Sequence, residues 1–222
     1  YKVQPIELRK VITRWIFMTT VTSFYSNSPE STVERQLADL RSIKSASDFV
    51  EYLNQTIKQK MNDSYFNVEL INDLTSSAAS SPVWYGYIAS INVLGTPMLF
   101  SNTPLSKYWV LGSDGMKKAI DKHHIFPKQH LADIGIPDDR DRNQLANFTY
   151  LDYNTNIDIS DDAPALYVER YKAKLGEEGY AKACAENALP QNFETLGYFE
   201  FLAERRVLMA GIIRKAFEKL WK

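Results

Sequence analysis

Asp121-Lys122-His123-His124-Ile125-Phe126-Pro127 is the stretch on which this chain turns, and Asn147 and Asn156 follow it. The 3 histidines of the whole sequence stand at 123, 124 and 130. Histidine changes charge near neutral pH and is a frequent proton carrier and metal ligand, so the clustering points to one small active site. Around it lie short runs rich in aromatic and β-branched residues: Tyr108-Trp-Val-Leu111, His124-Ile-Phe126 and Phe148-Thr-Tyr-Leu151, each bounded by turn residues. These are expected to be short strands. A loop rich in Asp and Arg, from Asp133 to Asn143, joins the last two.

Both flanks read as helical. Ile12, Trp15, Ile16 and Thr19 fall at helical spacing, and a break follows at Ser26-Asn-Ser28. Ser28 with Pro29 predicts a capped helix start, with an apolar stripe of Val33, Leu37 and Leu40. Ser47 or Asp48 is expected to open another helix, with Phe49, Val50, Leu53, Ile57 and Met61 on one face. Ser76 to Ser81 reads as a loop or a helix end, and a helix is expected over Val83 to Leu94. Beyond Pro164 come Leu166, Tyr167 and Tyr171, a stop at Gly176, a helix over Tyr180 to Ala188, and a long last helix from about Glu194 to Trp221. The expected fold class is mainly α with a small embedded β-containing motif that holds the histidines.

With 222 residues, 45% apolar and 24% charged, the chain has an ordinary globular composition and enough length for a sizeable core. A net charge of −1 supplies no overall basic field for a polyanion, so any nucleic-acid contact must be local. The single Cys184 excludes an internal disulfide and a cysteine-based zinc site; it reads as a small buried hydrophobe and suits a reducing cytoplasm. No apolar run approaches the ~18 residues of a membrane span, Trp15-Ile-Phe-Met18 being too short, and no signal peptide is evident. The start at Tyr1 leads us to expect a fragment or processed form with a partner domain on its N-terminal side.

The order His123-His124, Pro127, Asn147, Asn156 resembles the HNH, or ββα-metal (His-Me finger), nuclease motif. The resemblance implies that His124 is the general base and His123 a metal ligand. It makes Asn147, just before Phe148-Thr-Tyr-Leu151, the brace of the catalytic loop, and Asn156 the second metal ligand, with Asn154 competing for that role. Asp121 and Asp152 are possible outer partners that the motif leaves unassigned. The chemistry is coherent: cutting a phosphodiester needs a water deprotonated near neutral pH, which suits histidine, and a cation beside the leaving oxygen. Mg²⁺ needs few protein ligands and is the first expectation. An imidazole and an amide oxygen bind it more weakly than carboxylates, which leaves room for Mn²⁺ or another transition ion. Lys122, Lys128, Arg140 and Arg142 read either as a solvated face or as a phosphate clamp. The plain alternative, ordinary histidines and turn asparagines, leaves the register of Pro127 and both asparagines unexplained. For His130 a surface or helix-start role is expected.

The wider sequence resembles the C-terminal half of GmrSD-type restriction proteins. Arg14-Trp15 to Tyr25-Ser-Asn-Ser-Pro-Glu30-Ser31 is similar to an element that opens that family's helical region. Asn143-x-Leu-x-Asn147-x-Thr-x-Leu151 with Thr155-Asn156 to Pro164 is similar to its nuclease core, and Phe201-Leu202 with Arg205-Arg206 to its closing helix. The resemblance implies a helical region over 1–100 and an HNH nuclease domain over 101–222, with the ββα core at about 119–165. It also implies a ParB-like nucleotide-hydrolysing domain absent from this chain, modified or foreign DNA as substrate, and anti-phage defence in the bacterial cytoplasm. Some members sense glucosylated cytosine and others, of the Ssp kind, phosphorothioate linkages. Many carry Glu or Asp where His123 stands, which leaves metal preference open. The rival expectation is a non-catalytic helical module that recognises DNA or regulates an NTPase and retains the HNH motif as structure. A toxin-type or RNA-cutting nuclease fits less well, because such proteins tend to be strongly basic.

Overall fold

The computed structural model describes residues 2–78, 80–108 and 120–222. The chain opens with α1 (Pro5–Val21) and α2 (Pro29–Leu40), each starting with proline at a first-turn position where the missing N–H costs nothing. Ser28 holds the expected N-cap position of α2 but makes no side-chain capping bond. The expected apolar stripe of α2 does not reach the core: no residue of α2 is buried, and Val33 and Leu37 are exposed. In α3 (Ala46–Lys60) the cap is Ser45, whose hydroxyl accepts the Asp48 backbone N–H at 3.0 Å. The expected start at Ser47 or Asp48 is therefore late, because Asp48 is the residue being capped. Val50, Leu53 and Ile57 are buried as expected, and Met61 just beyond the helix with them.

A π-helical turn (Tyr65–Glu69) runs into the short α4 (Leu70–Asp73), and α5 (Pro82–Leu94) follows. Helix α5 packs against α1 at Gly86, where an added Cβ would lie 2.5 Å from Val21 Cγ2 and 3.4 Å from Val21 Cα. Valine is stiff about χ1 and cannot turn away. Gly86→Ala is accordingly expected to lose about 1–2 kcal/mol of stability, because the overlap outweighs the helix-propensity gain of about 1 kcal/mol. A urea midpoint equal to or above wild type would show that the two helices can part. Tyr108 ends a 3₁₀ turn (Leu105–Tyr108), and the rest of the strand expected at 108–111 lies outside the described residues.

The β-containing insert is a two-stranded antiparallel sheet. Strand β1 (Ile120–His124) pairs with β2 (Phe148–Asp152), in a register from Ile120↔Asp152 to His124↔Phe148. Between them lie the short helices α6 (Lys128–Asp133) and α7 (Asp139–Arg142) and a 3₁₀ turn (Leu145–Asn147). The second strand matches expectation. The first ends at His124 instead of beginning there: Ile125 still gives its N–H to the Asn147 carbonyl at 2.8 Å, but Phe126 turns into the core. Phe126 packs on Phe201 and Tyr198, with ring centroids 4.7 and 5.4 Å away.

Helix α8 (Tyr153–Ile159) follows β2 directly, capped by the Asp152 carboxylate, which accepts the Thr155 N–H at 2.8 Å. Helix α9 (Pro164–Glu186) is broken at Gly176, whose φ of 70° and ψ of 163° suit only glycine. Helix α10 (Tyr198–Lys219) starts later than expected, since Phe193–Thr195 form a separate 3₁₀ turn. One cluster of buried residues takes in Phe17 of α1, Trp84 of α5, Phe148 of β2, Tyr167 of α9 and Phe201 of α10. A smaller cluster of Val11, Val50 and Leu53 joins α1 to α3. The protein is thus mainly helical with a small two-stranded sheet. Most of the aromatic residues and Cys184 serve as core. No helix among the described residues is long and apolar enough to cross a membrane.

Candidate active site

Asn147 is wholly buried at the foot of β2. Its Oδ1 accepts the Phe126 N–H at 2.8 Å, while Nδ2 donates to the carbonyls of Phe126 (3.0 Å) and Arg142 (3.1 Å). Its own carbonyl takes the Ile125 N–H at 2.8 Å. One side chain therefore binds three backbone groups on two separate loops, the two of Phe126 buried and that of Arg142 partly so. This is the use that a buried amide must find if it is not to destabilise the fold. Two further clamps hold the same backbone. Tyr167 of α9 donates to the Ile125 carbonyl at 2.7 Å, and the buried Arg205 of α10 donates from Nη1 to the Ala146 and Phe148 carbonyls at 2.7 and 2.8 Å.

Strand alternation turns adjacent side chains to opposite faces, and this divides the histidines. On one face, His123 Nδ1 lies 2.8 Å from Asn156 Oδ1, and Asn156 Nδ2 donates to Asp121 Oδ2 at 3.1 Å. A carboxylate only accepts, so Asp121 fixes the Asn156 amide with its oxygen towards His123. That oxygen in turn requires a proton on Nδ1. The lone pair of neutral His123 then resides on Nε2, which is buried and has no hydrogen-bond partner among the described residues. Burial lowers the His123 pKa, against opposing pulls from Asn156, Asp161 and Asp121.

On the other face, His124 lies against the Phe148 ring at 4.5 Å, and its Nε2 is 3.0 Å from Asn143 Oδ1. Burial pulls the His124 pKa down to about 4, opposed by the Asn143 hydrogen bond and assisted by Lys128, His123 and Lys122. The ring is therefore neutral at pH 7. The Lys122 ammonium shares this face, 3.6 Å from the Phe148 centroid and 5.2 Å from that of Trp84. No described hydrogen bond links His124 to His123 or Asn156.

No protein-family model, curated protein or solved structure matches the chain. The residues themselves must carry the reading.

Their fit to a metal can be tested on the donors present. His123 Nε2 is an orphaned, lone-pair-bearing nitrogen, which is what a ligating imidazole presents when its other nitrogen is tied. Among the described residues no group of three or more His, Cys, Asp or Glu side chains is arranged as a metal cage. Any ion would rest on His123, a neighbouring amide or carboxylate oxygen, and water, which suits an open hydrated site. The sequence left Asn154 and Asn156 in competition; Asn156 faces His123, and Asn154 is exposed. Asp121 has the outer position considered for it, whereas Asp152 caps α8.

The four basic residues are not alike. Lys128 and Arg142 both approach Asp139, at 3.7 and 2.9 Å, so part of their charge is already answered. Arg140 is exposed, and its backbone N–H caps on Asp138. Lys122 stands on the His124 face of β1, and Lys128 is also close enough to His124 to help lower its pKa. His130, in α6, sits near the Phe126 ring at 6.2 Å.

Asn143 was visible beforehand only as one letter of a longer pattern, and the Arg205 clamp only as part of a closing helix. Their signal is position: Asn143 lies four residues before Asn147, and Arg205 lies on the apolar face of α10. An apolar cleft of about 410 Å³, lined by Val3, Leu8, Leu40, Ile43, Ala46 and Phe49, lies in the helical region, away from the histidines.

Proposed function

We propose that this chain is a divalent-metal-dependent endonuclease of the HNH type, cutting one strand of DNA at a time. In the larger protein it would be the effector part of a modification-dependent restriction system in the bacterial cytoplasm. The observation that carries the reading is the pairing of two imidazoles on one hairpin. One has a buried nitrogen with no hydrogen-bond partner among the described residues; the other is neutral and braced at the end of the same strand. His124 takes the proton of the attacking water. His123, oriented through Nδ1 by Asn156 and Asp121, would hold the metal through Nε2, which makes Asn156 an orienting partner in this arrangement and not the second ligand. Bound there, Mg²⁺ or Mn²⁺ supplies Lewis-acid stabilisation of the phosphate and leaving oxygen. Asn147 keeps Ile125 and Phe126 in place, and with them the end of β1. Lys122, with Lys128, Arg140 and Arg142, contacts backbone phosphates. Contacts of that kind position DNA without reading its sequence, which agrees with a net charge of −1 and leaves targeting to a partner ParB-like NTPase domain.

The sparse ligand set favours one rival, a DNA-recognition or NTPase-regulating module in which the hairpin is structural only. Calorimetric titration with Mn²⁺ separates the two. The nuclease reading expects binding by the wild type and, for loss of the ligand itself in His123→Ala, a drop in affinity larger than the roughly 10- to 100-fold that losing an outer-shell partner costs. Equal heats from both proteins would remove His123 from the site. Plasmid binding with no nicking in Mg²⁺ or Mn²⁺ would favour the structural module.

A further inference from the structure

We infer that Asn143 is the positioning residue of the base: its Oδ1 holds the Nε2–H of His124 and leaves Nδ1 to take the water's proton. The inference rests on the nuclease reading and deepens it. Asn143 Oδ1 lies 3.0 Å from His124 Nε2, and an amide oxygen can only accept, so that nitrogen carries the hydrogen. His124 Nδ1 makes no hydrogen bond to the described residues and is not among the buried unpartnered atoms, so it is the nitrogen open to a water.

The platform under Asn143 is unusually well held for a loop. It closes α7, its N–H bonding the Asp139 carbonyl at 3.0 Å. The residue before it gives its carbonyl to Asn147, and Tyr198 of α10 donates to the Asp141 carbonyl at 2.8 Å. Asn147 therefore ties down both partners together: the end of β1 that bears His124 and the turn that bears Asn143. From the other side, the Phe148 ring limits rotation of the imidazole. An imidazole so held needs no reorientation when the reaction begins, which is how a positioned base gains over a free one.

Two variants of nearly equal shape test this. Asn143→Leu removes the acceptor, and Asn143→Asp keeps an acceptor oxygen in the same place. The first readout uses metal-free protein with ¹⁵N-labelled histidine, the His124 signals being assigned by comparison with His123→Ala and His130→Ala. Wild type and Asn143→Asp should show a protected Nε2–H proton on His124, and Asn143→Leu should lose it. A wild-type His124 protonated on Nδ1 overturns the proposal whether or not the protein cuts DNA. The second readout is single-turnover nicking of supercoiled plasmid in Mn²⁺. Asn143→Leu should lose on the order of 100-fold in rate with unchanged plasmid affinity, and Asn143→Asp should recover most of it. A wild-type rate in Asn143→Leu overturns the proposal. Absence of nicking in wild type is a failure of the nuclease reading instead, and the proton spectrum then decides the position of Asn143 by itself.

Discussion

Asn147→Ala is expected to cost about 3–5 kcal/mol of stability and to remove nicking even under conditions where the variant stays folded. The side chain is wholly buried and engages three backbone groups at 2.8–3.1 Å. Truncation leaves the Phe126 N–H and carbonyl in the interior without this partner, at about 1–3 kcal/mol each, while the part-buried Arg142 carbonyl keeps only the long 3.4 Å contact from Tyr198 Oη. Against a typical total of about 5–15 kcal/mol, that is a large fraction. Asn147→Asp separates bracing from bulk. It keeps the acceptor for Phe126 N–H but can donate to neither carbonyl while ionised, so it should be nearly as damaging despite its equal volume. Urea denaturation with a nicking assay below the transition reads both effects. An alanine variant within 1 kcal/mol or so of wild type would mean that the two loops are held by something other than this amide.

Arg205→Ala should be comparably severe, although Arg205 lies on the last helix and touches neither histidine. Its guanidinium is fully buried, and both of its described bonds go to carbonyls on either side of Asn147. Among the described residues Nε and Nη2 make no hydrogen bond of good geometry, and burial lowers the pKa against the opposing pull of Tyr87 and Tyr167. The charge is therefore costly to bury, and what offsets it is the fixing of the asparagine turn from outside. Loss of the side chain leaves a cavity of arginine size and two orphaned carbonyls, together about 3–5 kcal/mol, or on the order of 10 °C in Tm for a chain of this length. Arg205→Met refills most of the volume but not the bonds, so it should fall between alanine and wild type. If methionine matched wild type in both Tm and nicking, Arg205 would be packing and not a clamp.

These two positions show what could be read from residue order and what could not. Asn147 was legible because an asparagine just ahead of a β-branched and aromatic run, at a set distance after His-His and Pro, matches a known bracing role. The helices were legible from spacing and from proline starts, with errors of a few residues where capping decides the boundary, as at Ser45. The first strand was displaced because Ile125 and Phe126 have strand-like chemistry, but Phe126 is drawn inward by Phe201 and Tyr198, contacts with residues far along the chain. The stripe on α2 has helical period yet meets no core, since periodicity shows which side would be buried and not whether anything covers it. In the site, Asp121 and Asn143 stayed undecided for a related reason. A single acidic or amide side chain has many uses, and only the fold brings Asp121 to Asn156 and Asn143 to His124.

Single-turnover cutting of supercoiled plasmid by wild type and His124→Ala, in saturating Mn²⁺ and again in EDTA, tests the central claim most directly. Wild type should convert plasmid to the nicked circle only with metal, and His124→Ala should be at least about 100-fold slower while keeping wild-type Mn²⁺ affinity. Nicking at the wild-type rate by His124→Ala, or undiminished in EDTA, would contradict the account.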